Sequence, residues 1–397
     1  MQTGLDRVLR DDAGGLLAEL RTGRVALLAH PASVTPSMAH ASDALAAAGV
    51  RWRVLFGPEH GYGGEAQDMI GVGDESASDG TRVVSLYGDR VEDLSPQRAD
   101  LEGLDALVVD LQDVGARYYT YVWTAVLAAR AASAAGVRVI VLDRPNPLGG
   151  DVVEGRLVEP AFRSFVGLEP LPVRHGLTLG EIVAWRAAAE GYLDAVRVVA
   201  VRGLERGAHA PEWGRPFVMP SPNMPTYDTA LVYPGGCLLE GTNLSDGRGT
   251  TRPFEITGAP WVDGPRLARE LAALELGGFV ARPLSFQPTF HKHGRERCGG
   301  VQIHVTDRAH FRPYATYIAL VALARSHAPT DFRFRTERYE FVDDIPAFDL
   351  LTGSAEARTR MEAGDAARDV ADALSRVGEP EIAVRAAALE AFARVAM

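Results

Sequence analysis

The sequence predicts a doubly wound α/β fold with a mostly parallel sheet, followed by a second, smaller α+β domain. Short apolar runs rich in β-branched residues recur through the first half, which is typical of strands buried on both faces of a parallel sheet. Ala- and Leu-rich helical stretches lie between most of these runs, and such alternation indicates a doubly wound sheet. A chain of 397 residues is also longer than a single hydrophobic core usually supports, and this length favours two domains.

The elements of the first half follow in chain order from these runs. Gly49 and Gly136 stand where helix C-caps are expected. The predicted strands cover residues 24–29, 51–56, 82–86, 106–111, 138–142, 171–174 and 196–201, and the predicted helices cover residues 40–48, 120–135 and 178–190.

The second half has a different texture. Residues 203–260 are rich in Pro, Gly, Asn and Thr, and they predict long ordered loops, which are usually functional. We expect a first domain at residues 1–235 and a second, smaller α+β domain at residues 236–397. Beyond residue 260 the predicted helices are 264–274, 312–326 and 381–395, and the predicted strands are 300–305 and 332–341.

The bulk composition narrows the class of protein. A formal charge of −11, with no basic run, argues against binding to nucleic acid. No run of apolar residues is long enough to span a membrane, and the first residues lack the pattern of an export signal, so we expect a cytoplasmic protein. Cys237 and Cys298 are too few for a disulfide framework and predict two free, buried thiols.

Polar residues follow nearly every predicted strand of the first half. In open α/β sheets the ligand lies beyond the carboxyl ends of the strands, so these residues are candidates for a site. They include His30, Glu59, His60, Asp113, Arg117, Tyr119, Asp143, Arg144, Asn146 and His175.

The sequence lacks the motifs of the common cofactor and nucleophile sites. No Gly-x-Gly-x-x-Gly or Walker-type motif follows a strand, and there is no Gly-x-Ser-x-Gly elbow. His291 and His293 could converge on a metal if they lie on a strand, but no Cys or carboxylate stands at ligand spacing, so a surface or substrate-facing pair is favoured. We expect no metal and no organic cofactor. The remaining polar and aromatic residues suit a sugar, whose glycosidic oxygen a carboxylic acid can protonate.

Seven segments resemble those of the exo-β-N-acetylmuramidase family, long known only as a domain of unknown function. The longest is Glu-Gly-Thr-Asn-Leu-Ser-Asp-Gly-Arg-Gly-Thr-Thr-Arg-Pro-Phe-Glu at 240–255. The others are Leu-Phe-Gly-Pro-Glu-His-Gly at 55–61, Asp-Leu-Gln-Asp-Val-Gly-Ala-Arg-Tyr-Tyr-Thr-Tyr at 110–121, Leu-Asp-Arg-Pro-Asn-Pro at 142–147, Val-Arg-His-Gly at 173–176, Pro-Ser-Pro-Asn-Met-Pro-Thr at 220–226 and Phe-Asp-Leu-Leu-Thr-Gly-Ser at 348–354.

The resemblance implies a Rossmann-like domain, a smaller C-terminal domain and a cleft between them. It also implies a cell-wall recycling hydrolase that removes terminal N-acetylmuramic acid from peptidoglycan fragments. The Glu of the Gly-Pro-Glu-His segment is the residue that it puts forward as catalytic, which is Glu59 here. One departure is His30, since the family pattern leads us to expect Asn after the first strand.

Glu59 is therefore the expected general acid, against the alternative of an exposed loop carboxylate that caps a helix. A general acid must stay protonated near neutral pH, which requires burial or a nearby carboxylate. Glycosidases usually use a second carboxylate, about 5 Å away for retention and roughly 6.5–9.5 Å away for inversion. Asp113, Glu240 and Glu255 are the candidates, although any of them could serve in a structural Arg pair.

Muramic acid carries a lactyl carboxylate, so its recognition calls for a cation, and Arg binds planar carboxylates best. Arg248 and Arg252 are the first choices, followed by Arg117 and Arg144; each could instead tie the long loop to the sheet. Tyrosines 118, 119 and 121 could line the site or simply pack a helix. The remaining expected substrate contacts are His60, Tyr119, Asp143, Asn146, His175, Asn223, Asn243 and Glu255.

Two rival functions remain open at this point. One is a sugar-binding protein that keeps the cleft without the chemistry, and the other is a hydrolase of another N-acetyl sugar. The presence of Glu59 and of the whole 240–255 segment favours the muramidase.

Overall fold

The computed structural model describes residues 1–67, 69–77 and 80–397. Within these residues the main sheet has the strand order β3-β4-β2-β1-β5-β6-β7, in which only the short β3 is antiparallel to its neighbour. This arrangement confirms the predicted α/β sheet. The strands are β1 (Val25–Ala29), β2 (Trp52–Gly57), β3 (Glu75–Ser76), β4 (Arg82–Ser85), β5 (Ala106–Asp110), β6 (Arg138–Leu142) and β7 (Val196–Val199).

Helices cover both faces of this sheet, which explains why its strands are apolar throughout. In β1, Val25 and Leu27 point to one cluster of buried side chains, whereas Ala26 and Leu28 point to the other. Burying both faces removes the alternation of polar and apolar residues that a half-exposed strand shows. The helices of the first half are α1 (Gly4–Leu9), α2 (Leu16–Thr22), α3 (Ala41–Ala47), α4 (Arg98–Leu101), α5 (Tyr121–Ala134) and α6 (Leu179–Ala189).

The ends of these helices follow the predicted signals. Gly49 and Gly136 come directly after the C-cap residues and have φ values of 101° and 74°, as expected for left-handed C-cap glycines. The Thr178 hydroxyl accepts from the N–H of Glu181, and the Glu181 carboxylate accepts from the N–H of Thr178, so helix α6 begins with a capping box.

The second half contains an antiparallel sheet of order β8-β10-β9 and a set of helices. Its strands and helices confirm the predicted α+β character. They are α7 (Tyr227–Gly236), β8 (Ile256–Ala259), α8 (Gly264–Ala273), β9 (Phe279–Phe286), β10 (Cys298–Val305), α9 (Pro313–His327), α10 (Ala347–Thr352), α11 (Glu356–Ala363), α12 (Ala367–Ser375) and α13 (Glu379–Val395).

Several element predictions were wrong. Residues 171–174 form no strand; Arg174 makes isolated bridges to Ala116 and Glu154 instead. Residues 332–341 also lack a strand and hold only the bridges of Phe334 and Tyr339. In both places the apolar side chains pack into the core without joining a sheet ladder. The predicted loop region 203–260 in fact contains helix α7 and strand β8.

The two halves share a continuous core. Helix α7 runs through the junction, and its residues Thr229 and Ala230 are completely buried. Helix α13 returns to pack against α6, and the N–H of Met397 donates to the carbonyl of Val198 at 2.9 Å. The predicted division at residue 235/236 thus falls inside a helix, and it stays a prediction.

Two predictions from composition can be compared with the structure. Cys237 and Cys298 are free and buried, as predicted. Across the described ranges, no helix is both long and apolar enough to cross a membrane.

Candidate active site

A cleft lies between the carboxyl edge of the main sheet and the second half of the chain. The loops after β2 and β5, the loop before α7, the 240–254 segment and residues 339–340 all contribute to it. The lining residues are Glu59, His60, Tyr118, Tyr119, Thr120, Tyr121, Val166, Ser221, Asn223, Met224, Tyr233, Glu240, Arg248, Phe254, Tyr339 and Glu340. Six of the expected catalytic and substrate-binding residues are among them, namely Glu59, His60, Tyr119, Asn223, Glu240 and Arg248. Tyr118 and Tyr121, for which lining the site was one of two alternatives, also belong to the lining.

A sharply folded loop brings Glu59 to the cleft. Strand β2 ends at Gly57, where a side chain would collide with the backbone of Tyr62. His60 and Gly61 then take left-handed φ values of 71° and 85°, which turn the chain back on itself. The Glu59 side chain is left at the end of the strand, with only 6% of its surface exposed. The alternative of an exposed loop carboxylate is therefore wrong.

Hydrogen bonds fix the Glu59 carboxyl group. Its Oε2 accepts from the hydroxyl of Thr120 at 2.6 Å, and its Oε1 lies 3.5 Å from the N–H of Met69. The Nδ1 of His60 contacts the carbonyl oxygen of Ala66 at 2.8 Å, so this ring is held by its own loop. No hydrogen bond joins His60 to Glu59 in the described part of the chain.

Aromatic rings form one wall of the cleft. Tyr119 packs edge-on against Tyr121 and Tyr233, with ring centroids 4.7 and 5.7 Å away. Burial raises the pKa of the Tyr119 and Tyr121 hydroxyls above their usual value, so both remain protonated donors. Both residues line the cleft, and Tyr121 donates to the carbonyl of Pro220 at 3.0 Å. Such a wall suits the apolar face of a sugar ring.

His30, the departure from the family pattern, supports this wall from behind. Its Nε2 accepts from the N–H of Gln112 at 2.9 Å, and its Nδ1 lies 3.2 Å from the same Pro220 carbonyl. Burial lowers the pKa of His30 to about 3, so the ring is neutral and donates through Nδ1. The residue braces the loop before α7 and does not line the cleft.

A buried charge network from the 240–255 segment adjoins the aromatic wall, since Tyr233 contacts Phe254 with ring centroids 4.9 Å apart. Glu240 accepts from the Nη2 of Arg248 at 2.8 Å and from the hydroxyl of Tyr339 at 2.6 Å. The Nη1 of Arg248 lies 3.1 Å from Asp246, and its guanidinium stacks over the ring of Phe254. Arg248 thus reaches the cleft while it is held by two carboxylates.

Lys292 completes this network from the loop after β9. Its Nζ lies 3.3 Å from Asp246 and donates to the carbonyl of Leu239 at 2.8 Å. Burial alone would raise the pKa of Asp246, but Lys292 and Arg248 together hold it well below its usual value. The carboxylate therefore stays ionised across the physiological range.

The His291–His293 pair belongs to the same loop. His291 lies 3.6 Å from Asp246, and the Nε2 of His293 contacts the carbonyl of Asn243 at 2.7 Å. The two rings have different partners, so they do not converge. No group of three or more metal-ligating side chains occurs among residues 1–67, 69–77 and 80–397.

A tight turn from the second half inserts Tyr339 and Glu340 into the cleft. Tyr339 and Val342 exchange backbone hydrogen bonds of 2.9 and 3.0 Å, and Glu340 and Phe341 between them have φ values of 46° and 69°. Such turns favour Asn-Gly, and each bulky residue held there costs about 1–3 kcal/mol. The hydroxyl of Tyr87 donates to Glu340 Oε2 at 3.1 Å.

Two predicted arginines lie outside the cleft and serve as structural ties. Arg117 is completely buried and donates to the carbonyls of Arg156, Leu171 and Leu351. Arg144 is also buried and forms a two-pronged pair with Asp110, with Nη2 2.8 Å from Oδ2. Because their donors are used inside the fold, neither residue is available for the predicted contact with substrate.

Asp113 and His175 form a buried pair behind the Tyr119 wall. Asp113 Oδ2 accepts from the N–H of Gly115 at 2.7 Å and lies 3.3 Å from the Nε2 of His175. His175 is completely buried and its Nδ1 accepts from the N–H of Leu177. Both residues were predicted to belong to the site, but neither of them lines the cleft.

Asp143 and Asn146 line a separate pocket at the ends of β6 and β7. Asp143 accepts from the N–H of Gly180 and the hydroxyl of Thr178, so it anchors the start of α6. Burial raises its pKa to about 7. Asn146 donates to the carbonyl of Leu177 at 3.0 Å and shapes the turn there.

The last predicted contacts divide between the cleft and the scaffold. Asn223 lines the cleft and donates to Gln67 at 2.9 Å. Asn243 ties its loop to the chain near residue 331, donating to the carbonyl there. The side chain of Arg252 is 44% exposed and lies 3.8 Å from Glu255, which accepts from a threonine hydroxyl of α7. Asn243, Arg252 and Glu255 are absent from the cleft lining.

Sequence reasoning missed several lining residues. Thr120 stands within the Tyr-Tyr-Thr-Tyr run, so its position beside the predicted site was a usable signal. Tyr339 and Glu340 gave no signal, because their segment was interpreted as a strand.

Comparisons with known proteins give the family context of this cleft. The profile of exo-beta-N-acetylmuramidase NamZ, N-terminal, matches residues 25–228, and the corresponding C-terminal profile matches residues 231–379. The peptidoglycan beta-N-acetylmuramidase NamZ of Bacillus subtilis (strain 168) is 40% identical over 377 residues, covering 93% of this chain and 86% of that protein.

Two crystal structures of DUF1343 family proteins from Bacteroides fragilis have the same fold. One superposes with a TM-score of 0.85 at 31% identity and covers 98% of this chain and 97% of that one. The other has a TM-score of 0.72 at 25% identity and covers 98% of both chains. The predicted fold class, a Rossmann-like sheet with a smaller second domain, is confirmed.

Proposed function

This chain belongs to the exo-β-N-acetylmuramidase NamZ family, and we propose that it releases N-acetylmuramic acid from the non-reducing end of peptidoglycan fragments with Glu59 as the general acid. As a member of the family it is a glycoside hydrolase that acts on peptidoglycan-derived sugars. The finer parts of the proposal rest on the cleft.

The observation that carries the proposal is the environment of Glu59. The carboxyl group is buried, lies at the end of a strand within the cleft and accepts a 2.6 Å hydrogen bond from Thr120. When the glycosidic bond breaks, the acid gives its proton to the leaving oxygen and becomes ionised. A hydroxyl that donates to the carboxylate stabilises the ionised form, so the Thr120 contact promotes proton transfer.

We propose that the aromatic wall and the charge network of the cleft together bind muramic acid. The ring of Tyr119 would pack against the pyranose, while Asn223 would contact hydroxyl or acetamido groups. Arg248 is the predicted arginine that lines the cleft, and its guanidinium would bind the lactyl carboxylate. Asp246 and Glu240 hold that guanidinium in place for the contact.

We propose that the chain divides into a catalytic first domain, residues 1–235, and a second domain, residues 236–397, which closes the cleft. This division is supported by the cleft lining, since Glu59 and Tyr119 come from the first half and Glu240 and Arg248 from the second.

The first experiment measures hydrolysis of an aryl β-glycoside of N-acetylmuramic acid and of its N-acetylglucosamine analogue. We expect the first to be cleaved and the second to be a poor substrate. Glu59→Gln should lose turnover while keeping its melting temperature. The matched control is Glu102→Gln, at an exposed position, which should retain wild-type turnover.

The outcomes also separate the rival functions. Binding of the muramic glycoside without hydrolysis would favour a silent sugar-binding protein. Faster cleavage of the glucosamine glycoside would indicate a hydrolase of another N-acetyl sugar. A Glu59→Gln variant with wild-type turnover would overturn the assignment of the acid.

A second experiment tests action from the non-reducing end. Short glycan chains labelled at the reducing end should lose one muramic acid residue at first, so that the label stays on the longer product. Internal cleavage, with labelled products of many lengths from the start, would contradict the proposal.

A further inference from the structure

We propose that Lys292 is a specificity-determining positioning residue, whose ammonium group offsets the Asp246 carboxylate so that Arg248 can bind a carboxylate of the substrate. The inference rests on the proposed function, because it concerns how the cleft recognises the lactyl group of muramic acid. It follows from the use of lysine in this chain, from the contacts of the ammonium group and from the balance of charge around Arg248.

Lys292 has an unusual place in the sequence and in the fold. The chain carries 41 lysine and arginine residues together, and Lys292 is the only lysine among them. Its side chain is only 18% exposed, although lysine is seldom buried unless its charge is paired. An ammonium is a compact point charge, whereas a guanidinium is a planar fork. A chain that uses arginine at every other cationic position thus holds its one lysine where this difference in shape matters.

The contacts of Lys292 suit an ammonium group. Its Nζ donates to the carbonyl of Leu239 at 2.8 Å and lies 3.3 Å from Asp246 Oδ2. Leu239 belongs to the short 3-10 helix Cys237–Gly241, and a lysine near the end of a helix can satisfy its last carbonyl groups. Burial lowers the pKa of Lys292, whereas the Asp246 and Glu240 carboxylates favour its charged form. These contacts fix a positive charge beside Asp246.

The charges around Arg248 explain why a second cation is needed. Arg248 lies 2.8 Å from Glu240 and 3.1 Å from Asp246, so two carboxylates share one guanidinium. These three groups leave one negative charge in excess, and the ammonium of Lys292 balances it. His291 lies 3.6 Å from Asp246 and would add to this compensation only when its ring is protonated.

Binding of the lactyl carboxylate would bring a third anion to this cluster. Like charges repel strongly in a partly buried site, because the effective dielectric constant there is far below that of water. With Lys292 in place the cluster is neutral, and Arg248 lines the cleft as its cation. Without Lys292 the excess negative charge would oppose the substrate carboxylate, so the preference for a charged lactyl group should be lost.

The test compares two aryl β-glycosides of N-acetylmuramic acid, one with the free lactyl carboxylate and one with its neutral methylamide. Each serves as a substrate, or as a competing ligand where its turnover is too slow to follow. The wild type should prefer the carboxylate. Lys292→Met should raise KM for the carboxylate about tenfold or more and change KM for the amide by less than about threefold. Arg297→Met removes a cation from an exposed position of the same loop, so it is the matched control and should keep the wild-type preference.

A double variant separates the balance of charge from a loss of fold. Asp246→Asn combined with Lys292→Met removes one anion and one cation, and replacing both partners of a buried ion pair costs less stability than removing one. The double variant should therefore melt at a higher temperature than Lys292→Met. Its preference for the carboxylate should return to within about threefold of the wild type. A purely structural role predicts equal losses on both glycosides and no recovery in the double variant.

The inference is overturned if Lys292→Met keeps the wild-type preference, or if the double variant prefers the carboxylate no more than Lys292→Met does. If Lys292→Met is too unstable to assay, the preference of the double variant decides alone. A wild-type protein that cleaves neither glycoside would overturn the proposed function itself. One that cleaves both equally well would overturn the lactyl contact of Arg248 and this inference with it, so the two failures are distinguishable.

Discussion

Replacing Thr120 with valine removes the hydroxyl that donates to Glu59 Oε2 at 2.6 Å and keeps the shape of the side chain. Thr120 is only 5% exposed, so solvent does not readily replace the lost donor. During turnover Glu59 becomes ionised, and a hydrogen bond to an ionised acceptor contributes about 1.5–3 kcal/mol. With about 1.4 kcal/mol for each factor of ten, kcat should fall about 10- to 150-fold.

The assay is steady-state hydrolysis of a muramic acid aryl glycoside by Thr120→Val, Thr120→Ser and Thr124→Val. Serine keeps the hydroxyl, so Thr120→Ser should stay close to the wild type. Thr124 lies one turn further along α5, is also buried and donates to the carbonyl of Thr120, so its replacement is a matched control without a contact to Glu59. The reasoning is refuted if Thr120→Val and Thr124→Val are equally active, or if Thr120→Ser is as slow as Thr120→Val.

The remaining predictions concern the charge network. Arg248→Lys keeps the charge but loses the planar guanidinium, so KM should rise about tenfold more for the muramic substrate than for its glucosamine analogue; equal rises, or the same change in the exposed Arg269→Lys, would contradict the lactyl contact. Asp246→Asn removes one anion from a buried network and should lower the free energy of unfolding in urea by about 3–5 kcal/mol at neutral pH. Because the pKa of Asp246 is lower in the folded than in the unfolded state, its contribution is complete above about pH 4 and is lost as the pH falls through the folded-state value. The difference from the wild type should therefore be constant above about pH 4 and shrink below it, and a difference that grows on acidification would count against the network.

The first half of the fold was predictable because its signals are local. The runs that became β1, β5 and β6 are apolar throughout, because strands buried on both faces of a sheet carry apolar side chains at successive positions. Capping signals such as Thr178 with Glu181 likewise act within one turn of helix.

The errors arise where tertiary packing decides the structure. The segment around Tyr339 has the apolar content of a strand, yet its backbone turns sharply because Phe341 packs against a distant ring of the first half. Helix α7 contains Pro234 and two glycines, which are poor helix formers, and burial against its neighbours overrides that preference.

The sequence predicted where the candidate site lies better than it predicted which residues line it. The loop of Glu59 follows a strand directly, so its place at the sheet edge follows from topology. Arg117 and Arg144 follow strands too, but sequence cannot tell an arginine that faces a ligand from one that donates to carbonyls or to Asp110 inside the fold. Glu340 reaches the cleft from almost 300 residues away along the chain, with no local signal.

The position of helix α7 affects how the two halves can move relative to one another and whether they could be exchanged between relatives. Between the two matched profile ranges lie only Thr229 and Ala230, and both are completely buried within this helix. A junction of this kind offers no joint about which two bodies can swing, so the width of the cleft is set when the chain folds and substrate entry depends on its surrounding loops. For the same reason the halves are not interchangeable modules, and a chimaera that exchanged one of them with a relative would have to match both sides of a single helix.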